Sequence, residues 1–166
     1  MNIWLIADTH FGHEKMVTNG HRPAGFEEKI LAGIRHRVKE GDISIHLGDV
    51  AFTNTYEWVR EFTANYQDVK FWLTLGNHDK SAEWYLSRGF DFAGESISLK
   101  YQGKHILFSH TPQDNLDGYD FNIHGHLHDG VHHEGEFDLT PKHINISIEG
   151  TWAPRTLKAV LKSIYR

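Results

Sequence analysis

The sequence predicts an α/β domain with helices packed outside a mixed β-sheet, and three observations lead to this prediction. Short apolar runs typical of buried strands alternate with amphipathic stretches over the first half of the chain. The second half carries mostly strand patterns. The 166 residues are 39% hydrophobic and 13% aromatic, which suits one domain of ordinary size, so we predict a single domain over residues 1–166.

The first half of the chain follows a β-α-β-α-β order. A continuous apolar run over residues 3–7 indicates a buried strand, and apolar residues over 26–38 repeat every four positions, as on a helical face. Residues 43–47 and 71–75 indicate two more strands, and the apolar spacing over 56–66 indicates a helix between them.

The second half is dominated by strand signals. Ser81 is a candidate N-cap for a short helix, and residues 97–108 alternate around a Gln-Gly pair, which predicts a hairpin. Further strands are predicted at residues 121–124 and 144–148. Thr156 is a candidate cap for a C-terminal helix.

Composition limits the chemistry and the partners. The absence of cysteine excludes disulfides, Fe–S clusters and thiolate zinc sites, so any metal needs nitrogen and oxygen ligands. With a net charge of −5 and no stripe of Lys and Arg, extended nucleic acid is not an expected partner. No apolar run approaches the roughly 20 residues of a membrane span, and the first residues lack signal-peptide features, so we expect a cytoplasmic protein without a membrane partner.

Polar side chains able to bind a metal follow the predicted strands. They are Asp8 and His10, Asp49, Asn77, His110, and His126 with His128. Loops after strand C-termini converge on one edge of an open α/β sheet, so these five loops are expected to build one site. Carboxylate, amide and imidazole ligands without sulfur suit Mn, Fe, Ni or Zn. Two such ions, about 3.5–4 Å apart and bridged by a carboxylate such as Asp49, clamp both oxygens of an in-line displacement at phosphorus.

Each of these clusters also has an ordinary structural explanation. The Gly-Asp pair at residues 48–49 is a common turn, and residues 8–10 could form an Asx turn. Residues 77–79 could cap the helix after Ser81, and the histidines of 126–128 could lie on the wet face of a strand. Their joint occurrence at successive strand ends favours a functional site.

The segments Asp8-Thr9-His10, Gly48-Asp49, Gly76-Asn77-His78-Asp79, His110 and Gly125-His126-Leu127-His128 resemble the motif set of the calcineurin-like metallophosphoesterase superfamily. The opening Asp-Thr-His-Phe-Gly-His, followed by an Arg-Pro pair, further resembles a compact bacterial and phage subgroup. In that subgroup an aromatic residue often follows the Arg-Pro pair directly, whereas here Ala and Gly intervene. The resemblance implies two mixed β-sheets packed as a sandwich with flanking helices.

The resemblance also implies roles for single residues. Asp8, His10, Asp49 and His128 would hold one ion, and Asp49, Asn77, His110 and His126 would hold the second. His78 would lie over the substrate, with Asp79 fixing its tautomer, and would assist an in-line attack on phosphorus by a hydroxide held between the ions. The expected cofactors are two divalent transition metal ions, with manganese placed before Fe, Ni and Zn.

Further candidates lie outside these motifs. His13 could reach a phosphate oxygen, or it could be a surface histidine. Arg22 could bind phosphate in a bidentate manner, or it could form a surface salt bridge. His132, His133 and His143 are predicted to be loop or strand residues, and they could also shape the pocket rim.

Three functions fit this sequence. The chain is too short for a cap domain, so the cleft is expected to be open to small phosphate esters, which favours a phosphodiesterase. The alternatives are a phosphomonoesterase, including a protein phosphatase, and a non-catalytic binding module on the same fold. The binding module is disfavoured because every expected ligand and His78 are present. The net negative charge makes a nuclease a weaker candidate. The sequence makes no prediction of oligomeric state.

Overall fold

The computed structural model describes residues 1–66, 68–129 and 135–164. Strands and helices follow one another through the described part of the chain as β1 (Ile3–Ile6), α1 (Lys15–Thr18), α2 (Phe26–Arg37), β2 (Ile43–His46), α3 (Thr55–Thr63), β3 (Lys70–Thr74), α4 (Ala82–Leu86), β4 (Phe92–Gly94), β5 (Ser96–Tyr101), β6 (Lys104–Ser109), β7 (Phe121–His124), β8 (His143–Asn145), β9 (Arg155–Thr156) and α5 (Leu157–Ile164).

The strands form two mixed sheets. In the first sheet, β4, β3, β2 and β1 run parallel in that order, and β9 pairs antiparallel with β1 at the edge. In the second sheet, β5 and β6 form the predicted antiparallel hairpin, and β7 and β8 continue parallel to β6. The predicted α/β architecture of two mixed sheets with flanking helices is confirmed.

Two apolar cores explain why the strands of the first sheet are buried on both faces. Leu5 of β1 packs in a cluster that joins both sheets and α5, together with Phe108 and Val160. The next residue, Ile6, belongs to the second cluster, which includes Ile30 of α2 and Phe62 of α3. Because successive strand residues point to opposite faces, β1 contributes to both cores, as its continuous apolar run predicts.

Two departures from the expected strands have local causes. His46 interrupts the apolar alternation of β2 because its Nε2 lies 2.9 Å from the hydroxyl of Thr9, which also donates to the Val50 carbonyl. The strand expected at residues 144–148 ends at Asn145, whose side-chain oxygen accepts hydrogen bonds from the amide and the hydroxyl of Ser147. These bonds form an Asx-type turn that ends the strand.

The described helices are short. The longest, α2, has 12 residues, and none in the described ranges is both long and apolar enough to cross a membrane. Ser81 and Thr156 act as the predicted N-caps, since their hydroxyls accept from the amides of Trp84 and Ala159 at 3.3 and 3.2 Å.

Candidate metal centre

The loops after β1 and β2 lie side by side. The amide of Asp8 donates to the Gly48 carbonyl and the amide of His10 donates to the Asp49 carbonyl, both at 3.0 Å, and a parallel bridge follows them. These bonds continue the pairing of the two strands beyond their ends. They hold the side chains of Asp8 and His10 against that of Asp49 at the carboxyl edge of the sheet.

Five of the seven predicted ligands have a left-handed backbone. Their φ angles are +54° at Asp8, +47° at His10, +56° at Asp49, +68° at His126 and +49° at His128. Residues other than glycine seldom adopt this conformation, although Asp and His tolerate it better than most. Such strain costs on the order of 1–3 kcal/mol per residue and clusters at functional sites. The concentration at this edge therefore marks it as a candidate site.

Asp8, His10 and His128 form a first group of donor atoms, all within 4.8 Å of one another. Both ring nitrogens of His10 are buried and have no hydrogen-bond partner in the described structure. Its ring lies 5.0 Å from that of His128, centre to centre. Burial, followed by the neighbouring His128 ring, lowers the pKa of His10 well below its usual value, so the imidazole is neutral, as a metal ligand must be.

Asp8, Asp49 and His110 form the second group of donor atoms. His110 donates from Nδ1 to the Leu47 carbonyl at 2.8 Å, which fixes the tautomer and turns Nε2 towards the site. That Nε2 lies 3.2 Å from Nδ1 of His126. Two imidazole nitrogens that face each other at this distance suit a shared ion.

Asp8 is common to both groups, and the carboxylate of Asp49, which belongs to the second, also faces a histidine of the first. Its Oδ2 is 3.5 Å from Nε2 of His10 and 3.4 Å from Nε2 of His110. Its Oδ1 accepts from the amide of His78 at 3.0 Å. One carboxylate oxygen thus faces a histidine from each side, which is the position that a bridging ligand needs.

The charge of the site also fits a cation. Burial raises the pKa of Asp8 from its usual 3.8 to about 6, although the His110 and His128 rings act in the opposite direction. A bound cation reverses this effect because it favours the charged carboxylate. Gly125 leaves room for that carboxylate, since a Cβ there would stand 2.5 Å from Oδ2 of Asp8. The donor set, the unpaired His10 nitrogens and this buried carboxylate therefore fit divalent metal ions.

The structure corrects the expectation for Arg22. Its guanidinium is buried and donates to the carbonyls of Asp8 and Thr9 at 2.6 and 2.8 Å, and it pairs with Glu149. Glu149 in turn accepts from Nδ1 of His128 at 2.9 Å. These hydrogen bonds and this ion pair occupy the guanidinium beneath the site, so Arg22 is not available to bind a phosphate. It forms a buried salt bridge, whereas the alternative expected from the sequence was a surface one.

Asp79 also differs from its expected role. One oxygen accepts from the amides of Asp49 and Gly76, and the other accepts from the amide of Val50 and the hydroxyl of Tyr85, at 2.8–2.9 Å. No hydrogen bond to the His78 ring is present among the described residues. Because both oxygens are used, Asp79 braces the loops after β2 and β3 and does not fix the tautomer of His78.

The remaining candidates lie at the rim. Asn77 and His78 are exposed on the loop after β3, and the His78 ring lies 5.6 Å from the His10 ring. His13 stacks on the half-exposed ring of Phe52 at 4.1 Å, and Phe52 meets His78 edge-on at 5.4 Å. His78 and His13 are therefore placed over the first group of donors.

Several residues of the site carried no signal in the sequence. Two of them, Ser147 and Glu149, lie late in the chain and match no local pattern. The Ser147 hydroxyl donates to Oδ2 of Asp8 at 2.9 Å, and Glu149 accepts from His128. Phe52 lies outside every motif and could not be distinguished from any other aromatic residue of a loop. His143 lies in β8, while His132 and His133 lie outside the described residues.

The fold and the donor residues agree with the family to which the sequence matches. The chain belongs to the calcineurin-like phosphoesterase family, whose model matches residues 1–162. It is similar to the protein AQ665 of Aquifex aeolicus, whose crystal structure superposes with a TM-score of 0.79 at 28% identity and with 98% of each chain covered. The protein MJ1445 of Methanocaldococcus jannaschii is 27% identical over 174 residues, covering 98% of this chain and 90% of MJ1445.

An archaeal phosphodiesterase shares the fold. Its structure superposes with a TM-score of 0.50 at 19% identity, covering 95% of this chain and 99% of that protein. A likeness at this identity supports the architecture alone.

Proposed function

We propose that this protein hydrolyses phosphate esters with the help of two divalent metal ions, and that phosphodiesters are its preferred substrates. The observation that carries the proposal is the pair of donor groups at one edge of the sheet, with Oδ2 of Asp49 between His10 and His110. Membership of the calcineurin-like phosphoesterase family supports the hydrolysis of phosphate esters, and the archaeal phosphodiesterase is an example of this fold with diester activity.

The ligand sets are those that the family resemblance implies, and they overlap the two donor groups, which have Asp8 in common. Asp8, His10, Asp49 and His128 would hold one ion, and Asp49, Asn77, His110 and His126 would hold the other. When bound, the two ions would supply an activated water and offset the charge of the phosphoryl oxygens. The seven ligands offer only nitrogen or oxygen, which suits Mn, Fe, Ni or Zn, and we keep Mn as the first metal to test.

His78 is the residue that we assign to proton transfer. Its amide is anchored on Oδ1 of Asp49, while its ring stands exposed over the donor groups, between His10 and Phe52. A ring in this position can donate a proton to the departing oxygen when the P–O bond breaks. His13, beside it at the rim, would contact a phosphoryl oxygen.

The exposed rim favours diesters. Asn77 and His78 face solvent, so the second substituent of a diester would have room outside the donor groups. A hydrolysis screen with each of the four metals tests this preference. We expect a higher kcat/KM for bis(p-nitrophenyl) phosphate than for p-nitrophenyl phosphate, with two ions per chain by elemental analysis. No turnover of either ester with any of these metals would remove the proposed function, and faster monoester turnover would reverse the preference.

His78→Ala tests the proton transfer itself. Because a positioned acid contributes about 10²–10⁴-fold, kcat should fall by this range for an alkyl leaving group and by less for nitrophenolate, which needs no proton. Both metals should remain bound. His36→Ala, which removes an exposed histidine of α2, is the matched control and should leave kcat unchanged. An equal loss for both leaving groups would exclude His78 as an acid, and loss of an ion would make it a ligand.

A further inference from the structure

A cavity of about 400 Å³ opens beside the second donor group, at the seam between the two sheets. It is lined by Leu75, Gly76, Asn77, Glu95, Ser96, Ser109, His110, Thr111 and Gln113. We propose that this cavity binds an uncharged, hydroxyl-bearing substituent of the substrate's phosphoryl group, such as the sugar of a nucleoside, and disfavours a substituent that carries a further phosphate. The inference rests on the proposed function and names the substrate class for it.

The position of the cavity connects it to the reacting group. Asn77 and His110 belong to its wall and are also the proposed ligands of the second ion. A phosphoryl group held there would therefore have one substituent within reach of the cavity. The volume lies at the lower end of the roughly 300–1,000 Å³ usual for small-molecule sites, which suits a group of about the size of a sugar.

One wall of the cavity is held rigidly. The amide of Gln113 donates to the side-chain oxygen of the buried Asn122 at 2.9 Å, and its carbonyl accepts from Nε2 of His143 at 3.0 Å. The side-chain nitrogen of Gln113 donates to the carbonyl and the hydroxyl oxygen of Thr111, at 3.1 and 3.2 Å. These bonds fix the wall before any ligand arrives, which lowers the entropy cost of binding.

The fixed wall still offers hydrogen bonds to a ligand. The side-chain oxygen of Gln113 accepts no hydrogen bond in the described structure. The Thr111 hydroxyl accepts from Gln113 and keeps its own hydrogen for donation. An acceptor and a donor side by side match the hydroxyl groups of a sugar.

The charge of the lining opposes a second phosphate. The described lining contains neither Lys nor Arg, and its charged side chain is Glu95, which lies exposed between β4 and β5. Glu95 has no ion-pair or hydrogen-bond partner among the described residues. A carboxylate accepts hydrogen bonds from hydroxyls but repels a phosphate, and no cation of the wall offsets this repulsion.

Two matched diesters test the inference with the metal-loaded, full-length protein. One is thymidine 5′-(p-nitrophenyl phosphate), and the other is the same compound with a phosphate on the 3′ oxygen. We expect the wild type to favour the 3′-hydroxyl compound in kcat/KM by about tenfold or more. Glu95→Gln should narrow this ratio by about three- to tenfold, the effect of one charge near a solvent-open wall.

Glu28→Gln is the charge-matched control. It removes the same charge from an exposed position on α2, outside the cavity lining, and should keep the wild-type ratio. A wild type that hydrolyses both compounds equally well, or a Glu95→Gln ratio equal to that of Glu28→Gln, would overturn the inference while the proposed function stands. Failure to hydrolyse these compounds and bis(p-nitrophenyl) phosphate alike would overturn both.

Discussion

A buried aspartate lies near each end of the strands of the first sheet, and the two have different surroundings. Asp42, just before β2, accepts from the amide of Asn2, the indole nitrogen of Trp4 and the amide of Lys39, at 2.7, 2.7 and 3.1 Å. Asp8, just after β1, accepts from the amide of His126 at 3.0 Å and from the hydroxyl of Ser147 at 2.9 Å.

The proton affinities of the two carboxyls move in opposite directions. Burial alone would raise the pKa of Asp42, but its N–H donors outweigh burial and bring the pKa below its usual value. At Asp8 burial dominates, and the pKa rises to about 6. Asp42 is therefore satisfied by the protein itself, whereas Asp8 lacks enough donors to offset its burial, and a bound metal ion would supply the missing positive charge.

Other departures from local preference collect at the same end as Asp8. The left-handed residues of the donor groups and the unpaired nitrogens of His10 lie there. A fold tolerates such costs where function requires them and stabilises itself elsewhere. These features make the carboxyl end of the sheet the candidate functional end, whereas the Asp42 end is satisfied by the protein itself.

Substitution of Asp49 should give the largest difference between the two ends. If Asp49 is shared by both ions, Asp49→Ala should lose both together, while His128→Ala and His110→Ala should each weaken mainly one. Outer-sphere substitutions already cost about 10–100-fold in affinity or activity, so we expect the loss of hydrolysis to exceed that range. Elemental analysis after gel filtration measures the metal content.

Asp42→Asn is the matched control for this experiment, because it removes a buried carboxylate from the other end and should keep full metal content. Two ions per chain in Asp49→Ala would refute the bridging role. Metal loss in Asp42→Asn would remove the distinction between the two ends.

Glu149→Gln should give a smaller effect on the metals. Glu149 links His128 to the buried Arg22, and because its carboxylate only accepts, Nδ1 of His128 must donate and Nε2 is left for an ion. Glutamine keeps the shape but loses the charge. Affinity for one ion should fall by about tenfold in a chelator competition titration, with the other ion unaffected.

Glu28→Gln again controls for the change in net charge. An unchanged affinity in Glu149→Gln would show that Glu149 acts only on stability through Arg22. In that case the melting temperature would fall while the metal titrations of the wild type and the variant coincide.

The parts of the fold and of the site that could be predicted from the sequence are those whose signal lies within a few neighbouring residues. Strands β1, β2, β3 and β7, the hairpin and both N-caps have periodic or capping signals within a few residues, and so do the polar clusters that follow the strands. The short elements α1, β4 and β9 have too few residues to show a period.

Long-range partners account for what the sequence missed in the site. Arg22 and Glu149 are 127 residues apart, so their pairing is visible only once β1 and the end of the chain are adjacent. Asp79 was expected to act on its sequence neighbour His78. In the structure it binds the backbone of Asp49, 30 residues away, because that loop runs beside its own.

Asp42→Asn itself should give the smallest effect, and one confined to stability. Asparagine keeps one acceptor oxygen, but its NH₂ would face either the Asn2 amide or the donors from Trp4 and Lys39. Leaving one or two buried donors unpaired should lower the free energy of unfolding by about 2–3 kcal/mol. Urea denaturation of metal-free protein at pH 7 measures this difference.

The pH dependence of that difference provides a second measurement. Because the folded pKa of Asp42 lies below its usual 3.8, the stabilisation from its charge is fully present above that value and is lost as the pH falls through the folded pKa. The difference in free energy of unfolding between wild type and Asp42→Asn should therefore stay constant from pH 7 to about pH 5 and narrow below about pH 4. A gap that widens on acidification would mean that Asp42 is not stabilised as a carboxylate, and the contrast with Asp8 would fail.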